Sequence, residues 1–136
     1  MRHGVQRAYQ RAPSHTMQCQ GDLLAIVMQY HMYFDTYGAP PVNAEELASF
    51  EDAFDTLPSH QQRRSRCIAA LDSGDYVISW SYDLREGLDR NAEFILAYHR
   101  DVPDAGGYVV YADAMVKLVT ASEFASASKA SSMQAD

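Results

Sequence analysis

Hydrophobic positions along the chain change their spacing twice. Leu23, Val27, Tyr30, Phe34 and Tyr37 recur at intervals of four, three, four and three, and Leu24, Ile26 and Met28 widen the stripe. That spacing predicts a long helix with a broad apolar face. Gly38, followed by Pro40 and Pro41, predicts its end. Asn43 stands three residues before Glu46, the arrangement of a capping box, so a second helix is predicted from Asn43 with Leu47, Phe50 and Phe54 inward. Pro58 interrupts the pattern. A third helix is predicted from Ser59 to Leu71, with Cys67, Ile68 and Leu71 inward and Gly74 beyond its end.

After Gly74 the period becomes two. "YVISWSY" places Tyr76, Ile78, Trp80 and Tyr82 on one face of a strand and Val77, Ser79 and Ser81 on the other. "EFILAY" places Phe94, Leu96 and Tyr98 together, and "YVVYA" and "MVKLV" complete four strands. Short connections imply antiparallel pairing as a meander. Thr120 and Glu123 form a second capping-box pattern on a brief terminal helix. Helices first and strands second is an α+β arrangement, with the long helix on one face of the sheet. Residues 1–15 are polar and basic and are expected to form a flexible arm. Residues 16–124 form the single domain, and the small, polar residues 125–136 are expected to be disordered.

Composition narrows the functional classes. A chain of 136 residues with 47% apolar positions can close one core without a disulfide or a metal. Eleven Lys and Arg stand against 18 Asp and Glu, a net charge of −7, which disfavours nucleic acid as a partner. The longest apolar-rich stretch, Leu23 to Phe34, is too short to span a bilayer and is broken by Gln29 and His31. The first fifteen residues have no apolar block, so the chain as written is expected to stay in the cytoplasm. Cys19 and Cys67 are either two partly buried free thiols or, in an exported chain, one bridge.

Two stretches carry a family resemblance. "MQCQGDLLAIVMQYHMYFDTYGAPP", residues 17–41, resembles a segment of planctomycete pilin-like proteins: a Met17-Gln18-Cys19 cluster, then a helix ending before a glycine and a proline pair. The later stretch, with His99, Gly106-Gly107, "YVVYA", Asp113 and "MVKLV", resembles the end of the same family. Such proteins are similar to the pseudopilins of type II secretion. The resemblance implies a long helix packed on a small antiparallel sheet. It implies a non-enzymatic structural or interaction subunit of the bacterial cell envelope, capable of self-assembly or of holding protein partners, with no cofactor. The chain departs from the family in having neither the basic leader nor the long apolar helix. Thirteen residues separate His99 from Asp113 where the family has nine, and Ala114 replaces the glycine after the aspartate. The alternative is a small binding module that uses the sheet or the 99–107 connection.

The candidate chemistry divides as follows. Asp113 and Ala114 read as a hairpin turn, with Asp113 as a ligand or catalytic acid the sharper alternative. Asp101, Asp104 and Asp113 raise the idea of a Ca²⁺ loop of the kind some pseudopilins hold, although they lack the alternation of an acidic loop. His3, His15, His31, His60 and His99 show no metal spacing; His31 is expected partly buried on the long helix and His99 at the surface of a strand end. Arg63, Arg64 and Arg66 are expected on the solvated side of the third helix, with an acidic partner or lipid headgroups as the alternative. Tyr76, Trp80 and Tyr82 are expected in the core, with an open sugar-binding platform as the other use of such a row. No catalytic set is assigned.

Overall fold

The computed structural model describes residues 2–50, 57–85 and 90–130, with side chains from Met17 onward. Helix α1 runs Arg2–Tyr37, α2 Ala44–Ser49 and α3 Pro58–Ser73; strand β1 is Tyr76–Ile78, β2 Phe94–His99, β3 Gly107–Tyr111 and β4 Val116–Val119. Short α4, Val102–Ala105, links β2 to β3. After β4 come α5, Ala121–Ser126, and β5, Ser128–Lys129. The fold is α+β, and β1 to β4 form the expected antiparallel meander in sequence order.

Helix α1 buries one stripe. Leu23, Ile26, Val27 and Tyr30 are fully buried, and Phe34 nearly so, against Leu96, Ala97 and Val110 of the sheet. Gly38 ends α1 in the left-handed region at φ 72°, its N–H donating to Phe34 O at 2.7 Å. Asn43 caps α2 by accepting from Glu46 N at 2.8 Å. The reciprocal half of the box shifts by one residue, because the Glu46 carboxylate accepts from Val42 N instead. Leu47 and Phe50 point inward as expected; Phe54 lies outside the described residues. Pro58 starts α3 rather than interrupting it, since a first-turn proline loses no helical hydrogen bond. Cys67 and Ala70 are buried on this helix, while Ile68 and Leu71 are only partly so.

Four other elements differ from expectation. The backbone of residues 2–15, expected to be a loose arm, continues α1; extending a helix already nucleated costs far less than starting one. Strand β1 ends at Ile78 instead of Tyr82. Ser81 adopts φ 66°, and its N–H leaves the sheet to donate to Pro41 O at 2.9 Å. The Tyr30 hydroxyl holds this departure. It accepts from Tyr82 N at 3.0 Å and lies 3.0 Å from Ser79 O. Trp80 stacks on Tyr30 with centroids 6.4 Å apart, and Tyr82 is buried, so these aromatics serve the core without sharing one strand face.

Strand β2 is covered on both faces, which its alternation does not suggest. Leu96 and Ala97 meet α1, while Ile95 joins Val102, Val109 and Phe124 in a second, smaller core beneath α4 and α5. Of residues 125–136, expected to be disordered, the stretch up to 130 returns to the sheet, and 131–136 lie outside the described residues. β5 pairs in parallel with β2, Phe94 with Ser128 and Ile95 with Lys129, and Ala130 is buried. The capping box of α5 forms as expected, with Glu123 N donating to Thr120 Oγ1 at 3.0 Å and Thr120 N to the Glu123 carboxylate at 2.9 Å.

The β3–β4 turn is one residue longer than a two-residue hairpin. Tyr111 N donates to Met115 O and Ala114 N to Tyr111 O, both at 2.8 Å. Ala114 takes the left-handed position at φ 77°, where glycine is preferred. Replacing Ala114 with glycine is expected to raise unfolding stability by about 0.5–1 kcal/mol, less whatever the alanine methyl contributes by packing. A denaturant titration showing unchanged or lower stability would mean that the turn stores no such strain.

Candidate functional site

The aspartate in the β3–β4 turn is structural. Asp113 is exposed, and its carboxylate accepts from Met115 N at 3.1 Å. Asp101 and Asp104 flank the other end of β3, on and beside α4. A five-residue strand, roughly 16 Å long, separates them from Asp113. Among the described residues, no three His, Cys, Asp or Glu side chains stand close enough to hold a metal ion. The calcium idea therefore fails for this trio.

The polar groups that do converge lie elsewhere, where α1 passes α3 and the start of β1. Asp22 is 7% exposed although it is charged. Its Oδ1 accepts from Arg66 Nε at 2.8 Å and its Oδ2 from the Tyr76 hydroxyl at 2.7 Å. One carboxylate thus joins α1, α3 and β1. Arg66 also donates through Nη2 to Gln18 O at 3.1 Å. To reach these acceptors its guanidinium lies across Gly21. A Cβ built there would sit 2.3 Å from Arg66 Nη2. A glycine inside a helix ordinarily costs 0.5–1 kcal/mol relative to alanine; here its missing side chain makes room for the ion pair.

Cys19 and His99 extend this group. Both are buried, and both line two adjoining cavities. One cavity, about 490 Å³, is bounded by Asp22, Arg66, Ser73, Asp75 and Tyr76. The other, about 260 Å³, is bounded by Val102, the Gly106-Gly107 pair, Tyr108 and Leu118. His99, expected at the surface, is covered by the Tyr76 ring, packed edge-on at 5.5 Å, and its Nδ1 accepts from Asp101 N at 3.1 Å. It closes β2 where the chain turns into α4, so the turn folds back over the ring.

Burial pushes the Cys19 thiol above its ordinary value. The Tyr76 hydroxyl opposes that rise, and the carboxylates of Asp22, Asp75 and Asp101 add to it. Burial, with the hydrogen bond to Asp22 next, also drives Tyr76 upward. Cys67, on α3, is pushed up to about 12, chiefly by burial. Neither cysteine is in a disulfide. A low thiol pKa is what makes cysteine reactive at neutral pH, and burial acts in the opposite direction on both.

The remaining singled-out residues have structural partners. His31, partly buried as expected, donates through Nε2 to Ala112 O at 2.7 Å and ties α1 to the β3–β4 turn. His60 Nδ1 accepts from Arg63 Nη2 at 3.0 Å; the side chains of His3 and His15 are not among those described. Of the arginines expected to be solvated, Arg66 is exposed as expected but also pairs with Asp22, while Arg63 and Arg64 are half-buried, Arg63 bonding Gln29 at 3.4 Å and Arg64 Phe50 O at 2.9 Å. The Asp22 cluster was not singled out from the sequence. Two signals pointed to it: an aspartate bordering the apolar stripe of α1, and a mid-helix glycine beside it.

Two outcomes follow from this geometry. In an Arg66→Ala background, Gly21→Ala is expected to stabilise by the usual helical gain of about 1 kcal/mol. With Arg66 present the same change should be less favourable by roughly 1–2 kcal/mol, because the ion pair is displaced. A double-mutant cycle with no coupling would refute the role assigned to Gly21. The alkaline limb of stability has a definite sign. Cys67 and Tyr30 are raised by burial, so the fold prefers their protonated forms. Their contribution is fully present below about pH 9 and is lost as pH climbs toward the folded-state values. Urea titrations at pH 8 and pH 11 should therefore give a lower midpoint at pH 11. Compared with family models, with curated proteins and with solved structures, the chain matches none.

Proposed function

We propose that this chain is a non-enzymatic, pilin-like structural or interaction domain of the bacterial cell envelope. The observation that carries the reading is the seating of α1. Its later half, from Cys19 to Phe34, lies along one face of a four-stranded antiparallel meander, and the same helix continues toward Arg2. The quoted motifs fall at junctions of the fold. Met17 to Cys19 open the packed part of α1, His99 ends β2, the glycine pair begins β3, and Asp113 occupies the next turn. These residues hold turns and packing contacts, which suits an architectural role. Among the described residues no helix is long and apolar enough to cross a membrane.

A second reading is favoured by the paired cavities around Cys19 and His99. A small binding module using the 99–107 connection would place a ligand where α1, β2 and α4 meet. Apolar concavities with a few convergent polar groups are the usual form of ligand sites.

Fractionation of the native host separates the two. An epitope-tagged chromosomal copy should be recovered with the envelope and should cross-link to envelope proteins. Recovery wholly in the soluble cytoplasmic fraction, with no such cross-links, would overturn the first reading and leave the second.

A further inference from the structure

We propose that the paired cavities form one site for a small amphiphilic amine, with its ammonium head among Asp22, Asp75 and Tyr76 and its apolar tail against Val102, Tyr108 and Leu118. The inference rests on the second reading above, that of a binding module, and names its ligand class.

The two halves differ in chemistry. In the smaller one, Val102 and Ala105 form a wall and Tyr108 faces its cross-strand partner Leu118. Leu118 is 66% exposed, although its neighbour on the same face of β4, Val116, packs against the core. An apolar tail laid between Leu118 and Val102 would cover that side chain.

Asp22 and Asp75 border the larger half, and Asp101 borders the smaller. Asp22 comes from α1, Asp75 from the residue before β1, and Asp101 from the residue before α4. Arg66 answers Asp22, and Arg100 meets Asp75 at 3.5 Å. Asp101 lies 3.7 Å from His99 Nδ1. Among the described residues, carboxylates therefore outnumber guanidinium groups around the two halves taken together, within a chain of net charge −7. The Cys19 thiol senses the same field, since all three carboxylates act on it in the direction that disfavours a negative charge.

A cation suits this field better than an anion. It would not be a bare metal ion, because the acidic groups are spread around the cleft without converging on one point. Arg66 does not reverse the preference, because its Nε and Nη2 are directed at Asp22 and Gln18 O. An ammonium group has three donors and no acceptor, which matches carboxylate and phenolic oxygens on the wall. The combined space is within the range of small-ligand sites.

Three six-carbon probes on the ¹⁵N-labelled full chain test this: hexylamine, hexanol and hexanoate, followed by amide shift titration. Hexylamine should saturably move the amides of Cys19, Tyr76, His99 and Gly106 to Tyr108, and bind at least tenfold tighter than hexanoate. Asp75→Asn should weaken hexylamine several-fold and leave hexanol unchanged, whereas Leu118→Ser should weaken both. Both substitutions lie at the rim, and a preserved amide spectrum would verify their folding. If hexanol or hexanoate fills the cleft as tightly as hexylamine, the amine preference is wrong while the binding-module reading stands. If no probe moves those amides at concentrations up to solubility, both are overturned.

Discussion

The hydroxyl of Tyr30 fixes the geometry on which the rest of the molecule depends. It projects from the buried stripe of α1 and holds the backbone of Ser79 and Tyr82 where the chain leaves the sheet. A buried backbone group without a partner is costly, so the departure of the chain at Ile78 needs such an acceptor and donor close by. Its ring meanwhile stacks on Trp80 and fills the core beside Leu96. One side chain thereby sets how α1 lies on the sheet and where β1 stops. The stop in turn frees residues 79–84 to cover the end of α1, with Tyr82 donating to Asn91 Oδ1 at 2.7 Å to anchor the return toward β2.

The same seating creates the polar cleft. At its opposite end the packed part of α1 is held by the Asp22 carboxylate, shared between Arg66 and Tyr76. One end of the helix contact is thus apolar and closed, and the other is polar and concave. Charged groups within an otherwise apolar contact add less stability than close packing would. Their arrangement around a cavity is consequently more informative about binding than about folding.

Long-range consequences separate what the sequence makes legible from what it hides. The 3.5-residue spacing from Leu23 to Phe34, the cap at Thr120 and the three later strand segments are local signals, and each becomes the element it suggests. The early end of β1 is illegible because Tyr76 to Tyr82 alternates without fault; only a hydroxyl far back in the chain, at Tyr30, competes for its backbone. The two-sided burial of β2 is hidden for a related reason, since its second cover comes from α4 and α5. The cluster at Asp22 is recruited from three separate segments. Arg66 in particular sits in a run, "RRSR", whose charge suggests solvent until α1 is placed beside it.

The edge of β2 that faces β1 is completed by two strands placed end to end. β1 covers Ala97 to His99, and β5 covers Phe94 and Ile95. The second piece is translated only after β3, β4 and α5, so the open half of that edge stays uncovered from the completion of β2 until Ser128 and Lys129 follow. Exposed strand edges recruit other chains. A chain cut short before Ser128 would keep the pairing of β1 to β4 and carry one open flank at Phe94 and Ile95.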